Sequence, residues 1–92
     1  MPTKRLTLHI SGLVQGVGYR YSAQQEARKR GFTGYVKNAE NGGIEIVAEG
    51  EKEDLKNFIQ WCYNGVGSAN VQTVNESWSE GTGAFSDFEI KL

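Results

Sequence analysis

Gly12-Leu13-Val14-Gln15-Gly16-Val17-Gly18-Tyr19-Arg20 packs three glycines into seven positions and ends on an arginine. A predicted strand, Arg5 to Ser11, runs into this turn, and a helix-prone run from Tyr21 to Arg30 follows it. No proline interrupts it, so every residue offers a backbone N–H. Glycine permits positive φ and lets a ligand approach the main chain closely. At a strand-to-helix turn such N–H groups can converge with the positive end of the helix dipole, which suits an oxyanion. The candidate donors are Gln15, Gly16, Val17, Gly18, Tyr19 and Arg20, and Arg20 adds a planar, permanently charged fork. Composition alone leaves this reading level with an ordinary glycine-rich turn beside a solvated arginine. A Walker A loop is excluded, because Tyr19-Arg20 stands where Lys-Ser/Thr is required. A dinucleotide fingerprint is excluded as well, because Tyr21 holds the position of its third glycine.

Outward from the turn the chain alternates between two periods. Leu6, Leu8 and Ile10 alternate with Thr7, His9 and Ser11, the pattern of a half-buried strand. Ala23 and Ala27 stack four apart in the following helix, and Gly31 is a natural stop after it. Phe32 to Asn38 reads as a second strand, and Asn41-Gly42 in the connection after it supplies the positive φ values of a tight turn. Ile44, Ile46 and Ala48 alternate with Glu45, Val47 and Glu49 in a third strand. Leu55, Phe58, Ile59 and Cys62 make one helical face, with Glu51, Glu53 and Asp54 in the first turn where the dipole favours them. Gly65 and Gly67 end that helix. Val71 to Trp78 is a fourth strand whose imperfect alternation suggests a bulge, and Phe88, Ile90 and Leu92 mark a last one.

The order is βαββαβ with a short added strand. It predicts an α+β, ferredoxin-like sandwich: an antiparallel sheet with two helices on one face and a short extra C-terminal strand. Leu6, Leu8, Ile10, Ile44, Ile46 and Ala48 then face the helices. Thr7, His9, Ser11, Glu45 and Glu49 point to the other face, expected to be partly polar and open to solvent.

Ninety-two residues allow one small domain over 1–92. Ten basic and eleven acidic residues give a net charge of −1, which argues against a general nucleic-acid or membrane-surface binder. No apolar run approaches the ~18 residues of a spanning helix, and Met1-Pro2-Thr3-Lys4-Arg5-Leu6 lacks a signal peptide's apolar core. The lone Cys62 cannot form an internal disulfide, so a cytoplasmic setting is expected. A monomer is the default.

Ile10-Ser11-Gly12-Leu13-Val14-Gln15-Gly16-Val17-Gly18-Tyr19-Arg20 resembles the first signature motif of the acylphosphatase family, with Tyr19 where phenylalanine or methionine is usual. Gly34-Tyr35-Val36-Lys37-Asn38-Ala39-Glu40-Asn41-Gly42-Gly43-Ile44 resembles the second, with Ile44 in place of valine, and Gly50 falls at the glycine that closes it. Chain length and element order match too, so the resemblance spans nearly the whole chain. It implies hydrolysis of acyl phosphates to a carboxylate and inorganic phosphate, without metal or cofactor. Phosphate is then both product and inhibitor. In that family Arg20 would bind phosphate, Asn38 would position the attacking water, and the water's proton would pass to the bound phosphate. Parity supports the placement, since Asn38 falls on the side of Val36, towards the helices and the turn. Its amide oxygen can accept from water while its NH₂ donates to a second oxygen. The alternative is a non-catalytic or carrier module for carbamoyl phosphate or another small anion, because similar domains occur fused to larger enzymes. The absence of a fused partner in this chain favours the free-standing enzyme.

Other reactive residues read as structural. His9 is the one side chain with an unperturbed pKa near neutrality, but alternation puts it on the face away from the turn. Cys62 lies on a buried stripe. Trp61 and Trp78 read as packing residues. No cluster has metal-ligand spacing. Arg30-Gly31-Phe32-Thr33-Gly34-Tyr35-Val36 echoes an RNA-binding motif, but on the second strand instead of the third, with one residue too many between Phe32 and Gly34 and no basic excess.

Overall fold

The computed structural model describes residues 3–91. The elements run β1 (Lys4–Leu13), α1 (Tyr19–Lys29), β2 (Thr33–Asn38), β3 (Ile44–Gly50), α2 (Lys52–Asn64), β4 (Asn70–Glu80) and β5 (Phe88–Lys91). They build one sheet in the order β4-β1-β3-β2-β5. β1 is antiparallel to both β3 and β4, and β2 is antiparallel to β3. This is the ferredoxin-like α+β sandwich expected from the element order, with the short C-terminal strand added at the β2 edge. That strand pairs parallel with β2, Val36 opposite Ile90, so the sheet as a whole is mixed. Leu92, expected in this strand, lies outside the described residues.

Alternation places the core where it should. Leu6, Leu8, Ile10, Ile44, Ile46 and Ala48 are all buried beneath the helices. α1 contributes Tyr19, Ala23 and Ala27, and α2 contributes Leu55, Phe58 and Cys62. The Phe58 ring stacks on Trp61 at 5.7 Å and meets the edge of Phe32 at 5.3 Å. Phe32, part of the RNA-like echo, is thereby committed to packing. Helix α1 stops as its sequence dictates. Gly31 takes φ 81°, its N–H bonds the Arg28 carbonyl, and the Phe32 N–H bonds that of Ala27, which together form a Schellman motif.

Three local expectations need refinement. α1 begins at Tyr19, two residues earlier than helix propensity suggests, so Arg20 lies in its first turn. The β2–β3 connection turns at Gly42 (φ 90°), whereas Asn41 keeps negative φ and accepts the Gly43 N–H through its side chain at 3.0 Å. The bulge in β4 falls at Gln72: Ser11 pairs with Thr73, and Gly12 with Val71.

The face away from the helices is less open than its polarity implies. β4 ends at one edge of the sheet and β5 begins at the other, four strand spacings or about 19 Å away at ~4.8 Å each. The link 81–87 crosses that face. The Gly81 N–H bonds the Thr3 carbonyl, Thr82 and Gly83 bond the Glu49 carboxylate, and the Gly34 N–H bonds the Asp87 carbonyl. Phe85 meets Tyr35 edge-on at 5.9 Å and lies 5.2 Å from the Arg5 guanidinium carbon. Glu49 and Val47 are buried as a result, at 4% and 5% exposure. His9 stays on the uncovered part of the face, its Nδ1 4.0 Å from Glu45.

Candidate active site

The turn after β1 delivers a helix start that no side chain caps among the described residues. Gly18 is the N-cap of α1, in the left-handed region at φ 80°, ψ 12°, and no side chain bonds the first turn. The first helical bond runs from the Ser22 N–H to the Gly18 carbonyl at 3.1 Å. The N–H groups before Ser22 therefore have no intrahelical acceptor, as at any helix start. No acidic residue occupies this first turn, whereas α2 carries Glu53 and Asp54 in the same place. Gly16 is also left-handed at φ 77°, and the space where a Cβ on Gly16 or Gly18 would point is empty to 4 Å. A ligand can reach this main chain unobstructed.

A pocket of about 170 Å³ opens here and brings together Gly16, Gly18, Tyr19, Arg20 and Asn38. Asn38 arrives as the exposed last residue of β2, paired with Ile44 across the ladder. Val14, Tyr21 and Ile90 complete the wall with apolar surface. Sequence reading missed these three as site residues. Val14 and Tyr21 lie inside or next to the first motif and were open to detection by adjacency. Ile90 carried no local signal, because only the β2–β5 pairing brings it in.

Two of the expected phosphate-binding residues stand in the turn but outside the pocket wall. Val17 packs against the core. Gln15 turns its side chain to the β2–β3 hairpin, where Nε2 donates to the Ala39 carbonyl at 2.9 Å and the Gly43 carbonyl at 2.8 Å. Tyr19 is 1% exposed, with its ring in the core and its hydroxyl donating to the Cys62 carbonyl at 2.8 Å. Burial, then the electrostatic and hydrogen-bonding influence of Cys62, pushes its phenol well above the ordinary range. The hydroxyl that sets Tyr19 apart from phenylalanine thus satisfies a carbonyl in the last turn of α2 and takes no part in the pocket. Cys62 is itself buried, and desolvation pushes its thiol up to about 12, which keeps it an inert thiol at neutral pH.

A second hollow, about 440 Å³, lies at the other end of β1, against the start of α2 and the end of β4. Its Lys4 pairs with Glu80 at 2.5 Å and its Lys56 with Glu53 at 3.7 Å. It contains none of the motif residues. Among the described residues no three His, Cys, Asp or Glu side chains gather closely enough to hold a metal ion, and no helix is long and apolar enough to cross a membrane.

An uncapped helix start, an arginine on its first turn and an amide at the facing strand end thus border one pocket. A family profile described as acylphosphatase matches residues 6–90. The acylphosphatase of Caldanaerobacter subterraneus subsp. tengcongensis is 45% identical over 87 residues, covering 95% of this chain and 97% of that one. That of Marinobacter nauticus is 46% identical over 88 residues, 96% of each chain. The crystal structure of acylphosphatase from Bacillus subtilis superposes with a TM-score of 0.93 at 35% identity, covering 97% of this chain and 99% of that one. Full-length HypF, in a phosphate- and nucleotide-bound crystal form, contains a similar segment (TM-score 0.89, 29% identity) that covers 100% of this chain but 12% of that one. On the strength of the profile and the near-complete overlap with its relatives, the chain belongs to the acylphosphatase family of hydrolases.

Proposed function

We propose that the protein hydrolyses the carboxyl-phosphate anhydride of acyl phosphates without a metal ion, using main-chain donors, one arginine and one asparagine. The observation that carries this reading is the uncapped, acid-free start of α1 in the same pocket as Arg20 and Asn38. The phosphoryl oxygens sit against the N–H groups from Gln15 to Arg20, and the Arg20 guanidinium grips them as a planar fork. Both sets of donors strengthen as charge builds on the equatorial oxygens. Asn38 holds a water in line with the acyl oxygen. The water oxygen forms the new P–O bond, the P–O bond to the acyl group breaks, and its electron pair leaves as a carboxylate. The water's proton passes to a phosphoryl oxygen, so the products are a carboxylate and inorganic phosphate. Because the leaving group's conjugate acid has a pKa near 4, roughly that of a carboxylic side chain, it departs without a general acid. An alkyl phosphate ester lacks that advantage and is a poor substrate. The enzyme works as a cytoplasmic monomer on this reading, and inorganic phosphate competes with substrate.

A second reading, a domain that binds a phosphorylated small molecule without turning it over, draws on the likeness to a segment of full-length HypF. Turnover of benzoyl phosphate in excess EDTA separates the two. Asn38→Ala then tests the mechanism. It should depress kcat and kcat/KM together, while competitive inhibition by phosphate stays nearly intact. If the folded variant loses phosphate binding but keeps kcat, Asn38 is a phosphate ligand and another group places the water.

A further inference from the structure

Among the polar side chains of the first motif that the catalytic reading leaves without a task, Gln15 is the one that reaches the second motif. Gln15 lies in the phosphate turn, yet both of its N–H bonds are occupied elsewhere, by the carbonyls of Ala39 and Gly43. Two carbonyl partners fix the amide's orientation, because only its NH₂ end can donate to them. A side chain in this state offers a phosphate nothing but a lone-pair oxygen, so Gln15 can serve the anion only through its main-chain N–H. Its two acceptors are informative. Ala39 directly follows Asn38, and Gly43 directly precedes Ile44, the ladder partner of Asn38. The Gly43 carbonyl also accepts the Ala39 N–H at 2.8 Å, closing the base of the hairpin. One side chain therefore ties the segment that carries Arg20 to both strands that fix Asn38.

We propose that the Gln15 side chain is a positioning residue that clamps the phosphate turn to the β2–β3 hairpin and so sets where Asn38 stands relative to the bound phosphoryl group. The proposal rests on the acylphosphatase reading above. In-line attack demands that the water and the phosphorus be placed to a fraction of an ångström, and a misplacement of ~1 Å can cost on the order of 100-fold in rate. The clamp acts on water placement, which matters in the transition state. It does not contribute donors to the ground-state phosphate.

The test is Gln15→Met, which keeps an unbranched side chain and removes both donors. With benzoyl phosphate as substrate, kcat should fall by about tenfold or more, while the inhibition constant of inorganic phosphate changes by less than about threefold. The double variant with Asn38→Ala should be no more than about twofold slower than Asn38→Ala alone, because a residue that acts through Asn38 has nothing left to position. Multiplying effects in the double variant, an unchanged kcat, or phosphate affinity lost in step with kcat would each overturn the proposal. Should Gln15→Met fail to fold, Gln15→Glu sets a carboxylate against the same two carbonyls and should give the same split. The wild type supplies a check that needs no variant: the Gln15 side-chain amide protons should exchange slowly with solvent, and exchange at the rate of a free amide would refute the clamp. A wild type inert towards benzoyl phosphate would remove the catalytic reading itself. Full turnover by both wild type and Gln15→Met would remove the clamp alone.

Discussion

Replacing Glu49 by glutamine should destabilise the fold in a pH-dependent way. The Glu49 side chain is 3% exposed and receives Arg5 Nε at 2.7 Å. It also accepts the Thr82 hydroxyl at 3.0 Å, the Thr82 N–H at 3.1 Å and the Gly83 N–H at 3.0 Å. Both carboxylate oxygens face donors, so whichever becomes the NH₂ of glutamine meets N–H or guanidinium groups. Breaking a buried ion pair costs about 3–5 kcal/mol. Arg5 is 26% exposed and can rehydrate, and glutamine keeps one acceptor, so the expected loss is about 2–3 kcal/mol, comparable to one or two charged hydrogen bonds. A chain of this length has roughly 5–14 kcal/mol of stability in total, and the loss should lower Tm by about 10–20 °C. The sign with pH follows from the carboxyl's environment. Burial raises its pKa, but Arg5 and the Gly83 and Thr82 donors together outweigh burial and hold it below the ordinary value. A depressed folded pKa means the contribution is complete above the unfolded value of about 4.3 and is lost as pH falls through the folded one. Thermal unfolding of wild type and Glu49→Gln at pH 7, 5.5 and 3 should show a wide gap at the first two and a narrower one at the third. A gap under about 2 °C at pH 7, or one that is constant down to pH 3, would refute the argument.

Arg20→Lys should lower kcat/KM for benzoyl phosphate by about 10²–10³, the usual cost of one oxyanion donor, and should weaken phosphate inhibition, since an ammonium cannot reproduce a two-pronged contact; steady-state kinetics on the folded variant checks both. Activity should persist in excess EDTA, and His9→Gln, on the sheet face away from the pocket, should change the rate by less than about threefold across pH 5–8; a pH–rate profile that loses a limb would contradict this. Tyr21→Ser should lower kcat/KM for benzoyl phosphate roughly fivefold more than for acetyl phosphate, the equivalent of about 1 kcal/mol of aromatic contact, and equal losses on the two substrates would show that the tyrosine wall does not meet the acyl group.

The extent to which this molecule was legible in its sequence depends on whether each feature is local. Period-two runs such as Leu6-Thr7-Leu8-His9-Ile10 specify strand and buried face at once, because a slip of one residue would expose every leucine. The glycine-rich turn is legible for the same reason, since its backbone requirements leave a mark within a few residues, whereas Asn38 was singled out by the resemblance of its segment to the family's second motif. Features made by chain return leave no such mark. The parallel pairing of β5 with β2, which brings Ile90 into the pocket, is decided by how the link 81–87 crosses the sheet. That crossing also converts Glu49, which alternation assigns to an open polar face, into a buried carboxylate with N–H donors supplied from residues 33 and 34 positions away. Gln15 shows the distinction within a single motif. Read locally, a glutamine among phosphate-binding glycines is one more donor to the anion. Only when the chain returns 24 and 28 residues later do two carbonyls take up its N–H groups. On the clamp proposal the same side chain acts on the geometry between the two halves of the site, an effect that a count of donors along the turn would assign to the wrong step of the reaction.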